Sequence, residues 1–332
     1  MSESPVPAPG TAGPTLRLDP HPRGAGVLIV RNPRSGRDVI RSDPSDLLAE
    51  RLPDADIREL VEGESLDDVV DAAIRGPQPP EVLGVLGGDG SVARMAHLAR
   101  RHDRPLLVLP GGTFNHFARA VGIDGVDAAI DALEAGTGVS VTAAEVSADG
   151  EEPKTVLNAV SIGTYPLVVS EREDRMDDLG KWLGGVAAIR RALRDAAPVT
   201  VSREGRRARV WSVFVSVGRN DPERLATMQR QTIDDDLLDV RLHHARGSRL
   251  RAVASLAFGH KTIAVLRAVG LMPPESDVER LVVRELKLAV TPAPGAPSVY
   301  VHDGELEEEA LDGFTLRCVV VPDAVRVYAP RA

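Results

Sequence analysis

Between residues 27 and 135 the chain alternates short apolar runs with segments of helical periodicity, and this alternation limits the fold more than any other feature. The runs Val27–Val30, Asp56–Val61, Val82–Leu86 and Leu106–Leu109 read as strands. Helices are expected over Asp43–Arg51, Ser65–Arg75 with Ser65 as N-cap, from Ser91 onward, Phe114–Val121 and Val126–Ala135. Strands that alternate with helices build an open, mostly parallel sheet covered on both faces. Such sheets bind ligands beyond the carboxyl ends of their strands. Three loops follow strands directly, at 31–37, 87–91 and 110–115, so all three are expected on one edge.

The second loop carries the most chemistry. Val82–Leu86 runs into Gly87-Gly88-Asp89-Gly90-Ser91, and a helix follows at once. Glycines let backbone N–H groups approach an anion without a Cβ in the way. A helix start adds unpaired N–H groups and a partial positive charge. The one carboxylate in the loop would repel a bare phosphate, so it fits a site where it faces a metal ion, a ribose or a substrate hydroxyl. The loop points to nucleotide phosphate chemistry; an ordinary strand-to-helix turn is the simpler alternative.

From Val139 the pattern changes to short Val-rich runs, such as Val210–Val217, Leu237–Leu242, Leu281–Val290 and Phe314–Val321. These predict an antiparallel sandwich or barrel-like domain. Two helical segments interrupt it, at roughly 173–196 and 248–270. Residues 1–24 are rich in Pro, Gly, Ser and Ala, and read as a disordered tail without secretory character. The expected organisation is therefore a tail over 1–24, an α/β domain over 25–138 and a β-rich domain over 139–312.

Charge and cysteine content narrow the setting. The net charge of −9 argues against general nucleic-acid binding. The basic charge is almost all Arg, with local clusters at Arg100–Arg104 and Arg203–Arg209 that are either solvated faces or contact surfaces. The single cysteine, Cys318, excludes an internal disulfide and a cysteine metal cluster and fits a cytoplasmic protein. No apolar run reaches the length of a transmembrane helix. His243, His244 and His260 lack metal-ligand partners at useful spacing and read as structural or exposed.

The three loops together resemble the catalytic domain of the diacylglycerol kinase family, which includes bacterial lipid kinases and sphingosine kinases. The matching residues are Asn32-Pro-Arg-Ser-Gly36, Gly87-Gly-Asp-Gly-Ser91 and Pro110-Gly-Gly-Thr-Phe-Asn115 with Phe117-Ala118-Arg119. Related NAD and phosphofructo-type kinases also carry a GGDG motif; the ordered trio is more specific. Similarity continues at Asn158–Gly163, Asp234–Asp239 and Asp303-Gly-Glu305, so it covers about residues 26–330.

The resemblance implies an N-terminal α/β nucleotide-binding domain of the NAD kinase/diacylglycerol kinase type and a C-terminal antiparallel β-rich domain. It places the active site in the cleft between them, with the final segment, 313–332, completing the first domain. It implies an ATP-dependent phosphotransferase that acts on a lipid hydroxyl, a diacylglycerol-like acceptor first of all. Alternatives are a same-fold kinase acting on NAD or another soluble alcohol, and a nucleotide-binding regulator without kinase activity.

By the same resemblance Gly87, Gly88, Gly90 and Ser91 contact the ATP phosphates, and Asp89 organises Mg²⁺ and the reacting groups. Thr113, Asn32 and Arg37 are nucleotide contacts. Glu305 is the proton acceptor, although it also reads as a residue flanking an Asp-Gly hairpin turn. Thr232, Asp235 and Leu237 align with a structural Mg²⁺ site. The sequence departs from the family at Ala93-Arg94, where Asn-Glu is usual, at His116 in place of Asp, and at Asp236 in place of Gly. The implied partner is a lipid at the membrane surface, with a homodimer left open. Lys181–Arg194 carries a tryptophan, apolar positions and a basic end. It suits peripheral association with anionic lipid, or packing on its own domain.

Overall fold

The computed structural model describes residues 15–32, 44–61, 63–112, 115–163, 197–219, 230, 232–246 and 277–331. The chain divides into two compact units. Unit 1 comprises Met1–Ala143, Arg230–Asp235 and Val321–Ala332; unit 2 comprises Ala144–Gln229 and Asp236–Val320.

In unit 1 the described elements run β1 (Thr15–Arg17), β2 (Val27–Arg31), α1 (Ser45–Arg51), β3 (Asp56–Glu59), α2 (Leu66–Ile74), β4 (Val82–Gly87) and α3 (Asp89–Arg101). They continue as β5 (Leu106–Pro110), α4 (His116–Ala120), α5 (Val126–Ala135) and the first part of β6 (Thr137–Ala148). Strands β5, β4, β2 and β3 lie side by side in that order, all parallel. Strands β4 and β5 are buried over their whole length. That is why both read as continuous apolar runs rather than alternating ones.

Local signals account for the helices. Ser65 caps α2: its Oγ accepts from the Asp68 N–H at 3.1 Å, and the Asp68 carboxylate accepts from the Ser65 N–H at 3.3 Å. This reciprocal box satisfies two N–H groups that the first turn leaves unpaired. Helix α5 spans the expected Val126–Ala135 and ends at Gly136 with φ +64°, a left-handed residue suited to glycine.

The described part of the expected N-terminal tail is ordered. Thr15–Arg17 pairs antiparallel with Val139–Thr137 of β6, and the Leu18 N–H donates to the Gly136 carbonyl at 2.9 Å. His21 is buried, with Nδ1 2.8 Å from the Ala25 carbonyl oxygen. Composition misled because three residues pairing with an edge need only backbone groups, which carry no compositional signal.

Unit 2 is built from antiparallel strands. After the end of β6 come β7 (Lys154–Val156), β8 (Ala159–Gly163), β9 (Val199–Arg203), β10 (Arg206–Val217) and β11 (Leu238–His244). Strands β12 (Val278–Val283), β13 (Glu285–Thr291), β14 (Val299–His302), β15 (Glu305–Glu308) and the first part of β16 (Phe314–Tyr328) follow; from Val321 on, β16 belongs to unit 1, where Val327 pairs parallel with Leu106 of β5. The order β15-β14-β8-β10-β9-β13-β16 joins most of them, and β11 and β12 branch from β10. Strand β10 pairs with β9 through its first half and with β8 and β11 through its second. A register shift falls between Val210 and Ser212. The apolar run 281–290, expected as one strand, is two: Arg284 separates β12, which pairs with β11, from β13, which pairs with β9 and β16. Along β13, Leu286, Leu288 and Val290 are buried while the residues between them are exposed, the period-two pattern of a sheet with one solvated face. The helical segments expected at 173–196 and 248–270, including Lys181–Arg194, lie outside the described residues, as does His260. No described helix is long and apolar enough to cross a membrane.

The histidines of β11 are structural. His244 pairs with Glu279 at 2.9 Å. His243 is buried, with Nδ1 3.3 Å from Ser212 Oγ. Burial, and then Arg241 and His244, lower its pKa from 6.5 to about 4. The unfolded chain therefore takes up a proton that the folded chain refuses. The associated stability is complete above pH 6.5 and is lost as the pH falls toward 4. We expect urea melts at pH 7 and pH 5 to differ by about 2 kcal/mol more in the wild type than in His243→Gln.

Candidate functional site

The three strand-end loops of unit 1 meet as their order predicts. Strands β2, β4 and β5 are adjacent and parallel, so Asn32, Gly87–Ser91 and Gly111-Gly112 share the carboxyl edge. The Asn32 N–H donates to the Leu86 carbonyl at 3.1 Å, and its side-chain amide donates to Ser91 Oγ at 2.9 Å. The first loop is thus tied to the start of α3. The rest of that loop, with Arg37, lies outside the described residues, as does Thr113.

The GGDG motif is less of a loop than its composition implies. Gly87 is the last residue of β4, Gly88 is the N-cap of α3, and Asp89 and Gly90 already belong to the first helical turn. The helix therefore starts two residues before the expected Ser91. No side chain caps it. Its first N–H groups therefore have no side-chain cap, and the positive end of the helix dipole lies at the same end. A Cβ added at Gly90 would meet nothing within 4 Å, so the space over this turn is open.

The third loop presses on the second, backbone against backbone. The Gly111 N–H donates to the Gly87 carbonyl at 2.9 Å. A Cβ on Gly112 would lie 2.7 Å from Gly88 Cα and 3.1 Å from Asn115 Oδ1. Asn115 holds Gly112 in place. It is left-handed, at φ +49°, and clamps Gly112 from both sides: Oδ1 accepts from the Gly112 N–H at 2.9 Å, and Nδ2 donates to the Gly112 carbonyl at 2.8 Å. We expect Gly112→Ala to cost about 1–3 kcal/mol through overpacking. Urea denaturation of the wild type and the variant measures this. Unchanged stability would show that this contact does not hold the two loops together.

Asp89 faces the third loop as well. Its Oδ1 accepts from the Phe117 N–H at 3.3 Å, bridging the starts of α3 and α4. The substitutions after the motif have structural partners. Ala93 is buried in the core, and the Arg94 guanidinium forms a two-pronged ion pair with Asp67 of α2. His116 is the first residue of α4 and half-buried.

In unit 2, Glu305 opens β15, directly after the Asp303-Gly304 turn that joins it to β14. Asp303 at φ +47° and Gly304 at φ +97° are both left-handed, as a two-residue hairpin turn demands. Asp303 also has a role that its reading as a turn residue missed. Its buried carboxylate accepts from the N–H groups of Leu157, Asn158 and Ala159 at 2.6, 2.8 and 3.1 Å. Burial raises this carboxyl's pKa, while the three donors and His302 act against the rise. The hairpin tip is thereby anchored to the break between β7 and β8. His302 Nε2 lies 4.0 Å from Glu305 and 3.0 Å from Glu307, and Glu307 also pairs with Lys154 at 2.6 Å. Burial disfavours the Glu307 anion, yet Lys154 and His302 prevail and hold its pKa below the usual range. Nothing in the sequence pattern signals the Asp303 clamp; it exists only once the 157–159 segment is brought to the turn.

The residues aligned with a Mg²⁺ site precede β11. Thr232 and Asp235 fall in unit 1 and Leu237 in unit 2, all half-buried. The Leu237 carbonyl accepts from the Gly218 N–H at 2.7 Å, which leaves it one lone pair. A carboxylate and main-chain carbonyls are hard oxygen donors of the kind Mg²⁺ takes.

Against known proteins, residues 26–146 match the diacylglycerol kinase catalytic domain. The segment holds all three strand-end loops. Over 318 residues the chain is 28% identical to a protein of Pseudomonas aeruginosa strain PAO1 named "Probable lipid kinase YegS-like", covering 92% of this chain and 94% of the relative. The counterpart of the same name from strain UCBPP-PA14 is 27% identical over the same length. A crystal structure of a diacylglycerol kinase from Bacillus anthracis strain Sterne shares the fold, with a TM-score of 0.57 and 18% identity. That alignment covers 94% of this chain and 99% of the other. The likeness to that solved structure agrees with the α/β plus β-rich architecture found here.

Proposed function

We propose that this chain is an ATP-dependent kinase that transfers the γ-phosphoryl group to a lipid hydroxyl, with a diacylglycerol-like alcohol as acceptor. The observation that carries the reading is the meeting of three glycine-bearing or asparagine-bearing loops at the uncapped start of α3, within the segment that matches the diacylglycerol kinase catalytic domain. Phosphoryl transfer needs positioning and charge neutralisation more than covalent help from the protein. Main-chain N–H groups of Asp89, Gly90 and Ser91 suit the first need, donating to phosphate oxygens with no side chain in the way. Asn32, held by Ser91, and Thr113 and Arg37 are the further nucleotide contacts in this reading.

Glu305 is the proposed proton acceptor. It takes the proton of the lipid hydroxyl as that oxygen bonds to the γ-phosphorus; the bond from the γ-phosphorus to the β–γ bridging oxygen breaks, and ADP leaves. Asp89 orients the reacting groups. Mg²⁺, when bound, supplies positive charge that offsets the charge of the phosphates. Asp235, with the carbonyls of Thr232 and Leu237, is the proposed holder of a structural Mg²⁺. Access to a lipid acceptor requires contact with a membrane surface.

A panel test discriminates the readings. The protein is incubated with γ-labelled ATP, Mg²⁺ and either dispersed diacylglycerol, ceramide or an isoprenoid alcohol, or soluble NAD or glycerol. Label in an organic-phase product is the expected result. Label in NAD or glycerol alone would reassign the acceptor, and ATP binding with no transfer to any acceptor would favour a regulator.

A further inference from the structure

Unit 2 holds a cationic feature that the phosphoryl-transfer chemistry does not use. A groove of about 530 Å³ opens beside the β9–β10 hairpin. Its floor is apolar, formed by Val201, Ala208, Leu242, Leu281, Leu286 and Leu288. Its rim carries Arg203, Arg206, Arg207, Arg209 and Arg246. Two acidic residues also line it, Glu204 and Glu279, and each is engaged: Glu204 pairs with Arg203 at 3.1 Å, and Glu279 with His244 at 2.9 Å. Arg206, Arg207, Arg209 and Arg246 are exposed. Among the described residues, none of their guanidinium groups has an ion-pair or hydrogen-bond partner.

This arrangement works against folding stability. Arg203 and Arg206 stand directly opposite each other across the hairpin, and like charges so placed repel. Four arginines occur in the seven residues 203–209 of a chain whose net charge is −9. Guanidinium groups form planar, two-pronged hydrogen bonds with phosphate oxygens. An apolar floor beneath them adds nothing to the capture of a soluble anion. It does suit a molecule with an anionic head and a hydrocarbon body.

We infer that this groove binds the phosphate headgroup and adjoining acyl carbons of an acidic phospholipid, and so docks unit 2 on anionic bilayers. The inference goes beyond the kinase reading and does not require it, because docking is measurable without nucleotide. The experiment is co-sedimentation of the full-length protein, without ATP, with vesicles of phosphatidylcholine alone or with phosphatidylglycerol. The proteins compared are the wild type, Arg206→Glu/Arg207→Glu/Arg209→Glu and the charge-keeping Arg206→Lys/Arg207→Lys/Arg209→Lys. All three sites are exposed, and circular dichroism checks that each variant folds.

A basic residue near an anionic surface contributes about 1 kcal/mol, so losing three should weaken partitioning roughly 100-fold. The wild type is expected to bind acidic vesicles, to release them with added salt and to ignore neutral ones. The lysine variant should keep most of the binding, and millimolar inorganic phosphate should not displace the vesicles. Equal sedimentation of the glutamate variant on acidic vesicles would overturn the inference. So would equal binding of the wild type to neutral vesicles, displacement by inorganic phosphate, or tight binding of an oligonucleotide with no vesicle binding.

Discussion

Glu305→Gln is expected to slow phosphoryl transfer roughly 10²- to 10⁴-fold, the contribution a positioned general base makes, and to leave ATP affinity within about twofold. Gln has the same size as Glu and accepts hydrogen bonds, but it cannot take a proton at neutral pH. The position tolerates the change. Glu305 begins a strand of a hairpin, its side chain is 41% exposed, and its main-chain pairing to His302 does not depend on the carboxylate. The nucleotide contacts proposed above lie in unit 1, so the split between rate and affinity is the informative part. Single-turnover measurements with the lipid acceptor give the first, and calorimetric titration with ATP gives the second. A normal rate would remove Glu305 from the chemistry. A lost affinity would mean that it serves nucleotide binding instead.

The second large effect concerns the residue that anchors this hairpin. Asp303→Ala should destabilise the fold by about 3–5 kcal/mol, the cost of stripping the partner from buried polar groups. Three N–H donors at Leu157, Asn158 and Ala159 would be stranded together. Asp303→Asn keeps one acceptor oxygen and should recover part of that loss. Urea denaturation measures both. Because the turn carries Glu305, the Asn variant, if folded, should also lose turnover while keeping ATP affinity. A loss below about 1 kcal/mol for the Ala variant would show that the clamp contributes little.

What the sequence made legible, and what it hid, follows from the range of each interaction. Helix α2 with its Ser65 cap and the end of α5 at Gly136 were readable because their signals are local: a capping side chain, a 3.6-residue period, a glycine past the last turn. The shared edge of the Asn32, Gly87–Ser91 and Gly111-Gly112 loops was readable from the strand and helix alternation alone. The ordered strand Thr15–Arg17 was not, because it is held by main-chain pairing to residues more than a hundred positions away. Nor was the break at Arg284, since two strands with different partners leave one unbroken apolar run. Asn115 and Asp303 illustrate the same limit at the candidate site. Each was visible as part of a motif. The work of each, clamping Gly112 in one case and gathering three N–H groups in the other, depends on chain segments that composition and spacing do not bring together.

The most direct test of the central claim is the mass of the product. Wild type and Asp89→Asn are each incubated with ATP, Mg²⁺ and a total lipid extract, and the organic phase is analysed by mass spectrometry. The account predicts a lipid heavier by one phosphoryl group with the wild type, and a yield at least tenfold lower with Asp89→Asn. No phosphorylated lipid with the wild type, or equal yields from both proteins, would contradict it.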